Sequence, residues 1–262
     1  MEKKILYLLT CVGLCWSSCT NEVDEFIGNV EPSTRSVSTA LNANLASLFT
    51  GGAPTLTSAE IKEVNDAYAK MTSINCYRNI DEAVRNKTSY AGTIFLDDTY
   101  ASAYFRKGSL AFPPYGILVS SMEHEFIHMY QRDVQGKKVD TDKEKRDTGM
   151  MEFELAFYQG IIRYIHAGYS WTFKGEDGDP SYQSLWTSGL TDPSLIPQYE
   201  REFQTYVASI CANGKPTSID INEFVKWSNI FGEYSRGYSG KGYKFGNYDY
   251  GTSCINSLLK LY

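Results

Sequence analysis

Hydrophobic and polar positions recur with helical period over several stretches of the chain, and β-prone residues cluster in one region. Thr57-Ser58-Ala59-Glu60 has the spacing of a capping box and opens a helix to about residue 71, with Ile61, Val64, Ala67 and Tyr68 as its apolar stripe. Residues 80–86 predict a second, shorter helix. Residues 93–96 form a compact β-prone run; residues 103–106, a turn at Gly108 and residues 109–112 follow as two further strands, closed by Pro113-Pro114. A longer helix is expected over residues 115–133, where Ile117, Leu118, Met122, Phe126 and Met129 supply packing. Others are expected over 149–167, 196–211 and 220–231, the last anchored by Ile221, Phe224, Val225 and Trp227. Residues 253–262 read as an apolar segment that docks on the core. The pattern predicts an α+β fold, mainly helical, with a small mixed or antiparallel sheet.

The chain opens on a different pattern. Lys3 and Lys4 precede an apolar run from Ile5 to Trp16 that is too short to span a bilayer, so residues 1–18 read as an export signal. Ser17-Ser18-Cys19 resembles the lipobox of bacterial lipoproteins, which implies acylation of Cys19. The acidic run from Thr20 to Glu25 resembles the signal that carries lipoproteins of Bacteroides-like bacteria to the outer face of the outer membrane. Residues 19–38 are polar, contain Pro32 and lack periodicity, which suits a tether. The remainder, 39–262, is long enough for one catalytic domain, with no second linker and no internal repeat.

Charge and cysteines narrow the partners. The formal net charge of the 262 residues is -6. Removal of Glu2, Lys3 and Lys4 with the signal makes it -7, which gives no electrostatic case for nucleic-acid binding. The expected membrane contact is the N-terminal lipid, and the chain is expected to be a monomer. With Cys19 acylated, Cys76, Cys211 and Cys254 remain, enough for one disulfide at most; Cys211 with Cys254 and three buried thiols are both open.

Chemistry concentrates in Ser121 to Tyr130, SMEHEFIHMY, which contains the HExxH pattern His124-Glu125-Phe126-Ile127-His128. Only three histidines exist in the chain, and two of them stand here. Chance would give this pattern roughly 0.002 times in such a sequence. On a helix, residues four apart share a face, so both imidazoles can address one metal ion, with Glu125 beside the open coordination position as a base. Beyond a charged stretch at 137–147, the second helix offers Glu152 and Glu154 as a third ligand. Glu152 shares a polar stripe with Gln159, Arg163 and His166, whereas Glu154 falls among Phe157, Tyr158, Ile161 and Ile165. A carboxylate on an apolar face costs several kcal/mol unless paired or metal-bound, so Glu154 is preferred and Glu152 is the alternative. His166, twelve residues beyond Glu154, stands about 18 Å along the helix and cannot share that ion.

HExxH followed some 25 residues later by a glutamate on a second helix resembles the gluzincins, zinc metallopeptidases of the zincin type. With Gln131 and the Glu-Phe-Glu-Leu-Ala segment, these residues are similar to zincin-like surface lipoproteins of Bacteroides-type bacteria. The resemblance implies a zincin-like fold, Zn2+ on His124, His128 and Glu154, a protein or peptide substrate, and Glu125 as general base on a zinc-bound water at the cell surface. The thermolysin pattern around the third ligand is not kept, so no residue is assigned to orient a histidine. Gln131 and Val134 stand where metzincins need Gly and His, which excludes that family. In the Tyr- and Gly-rich residues 234–250, Tyr238, Tyr243 and Tyr248 are the main candidates to stabilise an oxyanion, with Tyr234 and Tyr250 beside them. The alternative function is a non-catalytic lipoprotein that binds peptide or glycan on the same scaffold.

Overall fold

The structure, a computed structural model, describes residues 40–100, 102–137, 145–166, 193–212, 216, 219–234 and 255–262. Cys19, the export signal, the tether, and Tyr238, Tyr243, Tyr248 and Tyr250 lie outside the described residues, as does Cys254. Tyr234 is the final residue of a described helix. The architecture is mainly helical with one small mixed sheet, an α+β arrangement. The chain divides into two compact units, with the boundary between Gly136 and Lys137.

The first unit begins with α1 (Ala43–Leu48), α2 (Ser58–Ser73) and α3 (Asn75–Lys87). The capping box of α2 is fully formed: the Thr57 hydroxyl accepts from the Glu60 N–H, and Glu60 accepts from the Thr57 N–H. Val64, Ala67, Tyr68 and Met71 are buried as the pattern predicts, and Ile61 is half-buried. Helix α3 starts five residues before its predicted first residue. Its N-cap is Ile74, which has no capping side chain, so the sequence carries no start signal there; Cys76 and Tyr77 bury the first turn instead.

Strands β1 (Ile94–Leu96), β2 (Tyr104–Arg106) and β3 (Ser109–Phe112) pair in the order β1-β3-β2. β1 runs parallel to β3 and β2 antiparallel, joined by Lys107 and Gly108, both at positive φ. The register aligns Ile94, Leu110 and Phe105 on one face, and Phe95, Ala111 and Tyr104 on the other. Phe105 packs its ring 4.8 Å from that of Tyr90, which lies 5.4 Å from Phe49.

The helix carrying HExxH, α4 (Val119–Met129), begins four residues later than predicted. Gly116, at φ 147°, and the extended Leu118 keep residues 115–118 out of the helix. It continues into a single π-helical turn, Tyr130–Val134, closed by the Gln135 N–H on the Tyr130 carbonyl at 3.1 Å.

The second unit is built on α5 (Lys145–His166), with α6 (Ile196–Ile210), α7 (Ile221–Tyr234) and α8 (Ile255–Leu259) packed on it. Helix α5 starts inside the charged stretch that was expected to be a connection. From Met150 to Ile162 its residues are buried all round except Glu152. A helix apolar on every side takes the centre of a core, and the rings of Phe153 and Phe157 meet Phe224 at 5.0 and 5.2 Å. This corrects the expected solvent stripe at one position: Gln159 is 1% exposed. Ile221, expected as a core anchor of α7, is 49% exposed because it sits at the first helical position, ahead of the turn that Phe224 and Trp227 bury. Cys76 and Cys211 are both buried, and burial pushes the Cys211 thiol up to about 11.

Candidate metal centre

Helix α4 is positioned by its apolar residues. Met122, Phe126, Ile127 and Met129 are wholly buried, and the Phe126 ring lies 5.9 Å from that of Tyr68 on α2. With those positions committed to the core, His124 and His128 fall together on a remaining face, four residues apart, as the helical period requires.

The structure brings His124, Glu125 and His128 together. The two imidazoles stand at 83° to each other with ring centres 4.6 Å apart, and their Nε2 atoms are 3.1 Å apart. The Glu125 carboxylate lies 4.0 Å from His124 Nε2; its side chain is 5% exposed and that of His124 is 14% exposed. Two nitrogens bound to a tetrahedral zinc at about 2.05 Å stand about 3.3 Å apart, so the observed spacing fits a pair of ligands to one such ion. A carboxylate nearly removed from water, a few ångströms from that pair, is placed to exchange a proton with a small molecule held there.

Gln131 is also part of this cluster. Its side chain is wholly buried, and its Oε1 lies 2.9 Å from His128 Nδ1. Sequence reasoning assigned no residue to orient a histidine; the signal was the three-residue spacing, which puts Gln131 beside His128 on a helical surface. The π-helical turn that carries it is held from the sheet side. Asp133 accepts from the Tyr90 hydroxyl and from Arg132, whose Nε lies 2.9 Å from Asp133 Oδ1. The Arg132 guanidinium lies over the Phe105 ring, 4.2 Å from its centre. Burial and the neighbouring Asp133 carboxylate both raise the Tyr90 phenol above its ordinary value.

Glu152 and Glu154 belong to α5 of the second unit and differ in environment there. Glu154 is 0% exposed, on the apolar face where the pattern placed it, and Glu152 is half-buried. His166, at the last position of α5, is exposed at its edge, with its ring 6.3 Å from that of Tyr262. Partial burial lowers its pKa below the ordinary value. No helix among the described residues is long and apolar enough to cross a membrane. The chain matches no family model, no curated protein and no solved structure.

Proposed function

We propose that this chain is a zinc-dependent metallopeptidase of zincin-like fold, anchored by lipid on Cys19 at the outer face of the outer membrane. The observation that carries the reading is the pair of Nε2 atoms 3.1 Å apart with the buried Glu125 carboxylate beside them. The mixed sheet ahead of α4, with β2 antiparallel at its edge, supports the zincin-like part.

His124 and His128 are the proposed ligands from α4, and a glutamate of α5 is proposed as the third, with Glu152 half-buried in its own unit. The sequence pattern favours Glu154 as third ligand and Glu152 as its alternative, but a hydrolytic metal needs a position open to water and substrate. A half-buried carboxylate suits that better than one wholly enclosed. Bound there, zinc would supply Lewis acidity toward a peptide carbonyl. Glu125 takes a proton from the attacking water, holds it while the C–O bond forms, and passes it to the amine nitrogen as the C–N bond breaks. Its low exposure keeps that proton from exchanging with bulk solvent. A protein or peptide is the proposed substrate.

The test compares the full chain with its Glu125→Gln and His124→Ala variants for zinc content and for cleavage of a peptide library. About one zinc per chain, lost in His124→Ala, and cleavage reduced about 10²–10⁴-fold in Glu125→Gln with zinc retained is the expected result. Failure of the parent to take up zinc at micromolar concentration would overturn the proposal. Zinc binding without any cleavage would leave a peptide- or glycan-binding lipoprotein.

A further inference from the structure

We infer that Gln131 is a positioning residue for His128: its amide oxygen holds that ring as the Nδ1–H tautomer, so that Nε2 presents a lone pair toward His124 before any metal arrives. Its effect on metal affinity rests on the proposed zinc site, but the tautomer does not.

The argument starts from what the two groups can donate. A neutral imidazole carries one N–H, and an amide oxygen only accepts. Gln131 Oε1 at 2.9 Å from His128 Nδ1 therefore places the proton on Nδ1 and leaves Nε2 as an acceptor. That nitrogen is the one facing His124 Nε2 at 3.1 Å. Gln131 is 0% exposed, so water cannot take the place of this bond; a rotated amide would instead donate to Nδ1 and impose the Nε2–H tautomer.

The backbone makes the placement rigid. α4 gives way to a π-helical turn immediately before Gln131, and the turn is tied to the sheet side by the Asp133 bond to Tyr90 and by the Arg132 guanidinium over the Phe105 ring. Groups outside the helix thus fix where the Gln131 side chain begins. Metal-binding histidines commonly rely on a carboxylate or a carbonyl for this service; here a glutamine three residues on supplies it from the same helix.

The experiment uses the full chain, labelled with ¹⁵N histidine and free of metal. Long-range ¹H–¹⁵N correlations read the tautomer of His128, and competition with a chromophoric chelator reads zinc affinity. Variants are Gln131→Met, which keeps the volume but removes the acceptor, and Gln131→Glu, which keeps an oxygen. The wild type should show Nδ1–H at His128. Gln131→Met should populate Nε2–H and weaken zinc binding about 10–100-fold, and Gln131→Glu should stay within a few-fold of wild type. His128 as Nε2–H in the wild type would overturn the inference, as would a Gln131→Met variant with unchanged tautomer and affinity. Should Gln131→Met fail to fold, the wild-type spectrum and Gln131→Glu still decide. A wild type that shows Nδ1–H but binds no zinc would refute the metal reading while upholding the role of Gln131.

Discussion

Asp133→Ala should destabilise the chain by about 2–3 kcal/mol, and the cost can be worked from the bonds that Asp133 accepts. Arg132 donates through Nε at 2.9 Å and through Nη2, and Tyr90 donates its hydroxyl. Hydrogen bonds to a charged group contribute about 1.5–3 kcal/mol each, and breaking a fully buried pair costs about 3–5 kcal/mol. Here the side chains of Arg132 and Asp133 are 28% and 22% exposed, so water recovers part of the loss and the lower figure applies. Tyr90→Phe removes one of these bonds and keeps the ring against Phe49 and Phe105, for about 1 kcal/mol. The two changes share a partner, so the double variant should cost less than the two single costs added together. Urea denaturation followed by far-UV circular dichroism measures all three variants. The corresponding fall in Tm is roughly 4–12 °C for Asp133→Ala at about 2–4 °C per kcal/mol. An Asp133→Ala variant within about 0.5 kcal/mol of wild type, or costs that simply add, would refute the account of this turn.

Two further tests address other parts of the fold. Gly92→Ala would place a Cβ 2.2 Å from the Gly108 carbonyl oxygen and 2.3 Å from Ser109 Oγ; because backbone blocks it, a loss of about 3 kcal/mol or more is expected, and a wild-type urea midpoint would disprove it. Tyr68, Tyr90 and Tyr206 have phenols raised above the ordinary value, chiefly by burial. A proton held more tightly in the folded state gives stability that is full below about pH 10 and is lost as pH rises through the folded values. Urea midpoints should therefore fall from about pH 10 upward, in step with tyrosinate absorbance near 295 nm; a flat midpoint to about pH 11.5 would contradict this.

Much of the first unit was legible because its signals act over a few residues. The Thr57 capping box, the β-prone runs of β1 to β3 and the four-residue spacing of His124 and His128 are local signals, and the structure contains all of them. Boundaries were less so. Helix α3 starts at an isoleucine with no capping side chain, and α4 starts late because Gly116 and Leu118 are held outside helical geometry. The first leaves no capping signal in the sequence, and a single glycine does not by itself fix where the second begins.

In the second unit, periodicity placed Glu154 among buried residues correctly, but it could not show that Gln159 is also enclosed. A polar stripe predicts solvent only when one side of a helix is free, and α5 is the centre of its unit. By itself, then, the sequence determined the two histidines on one helical face, the glutamate beside them and the class of fold, since each depends on the chain's own period. Tertiary structure decided that their Nε2 atoms face each other at 3.1 Å, that Glu125 is shielded from water, and that Gln131 reaches His128. Those facts depend on the packing around α4 and on a π-helical turn tied to Tyr90, a residue more than forty positions earlier in the chain.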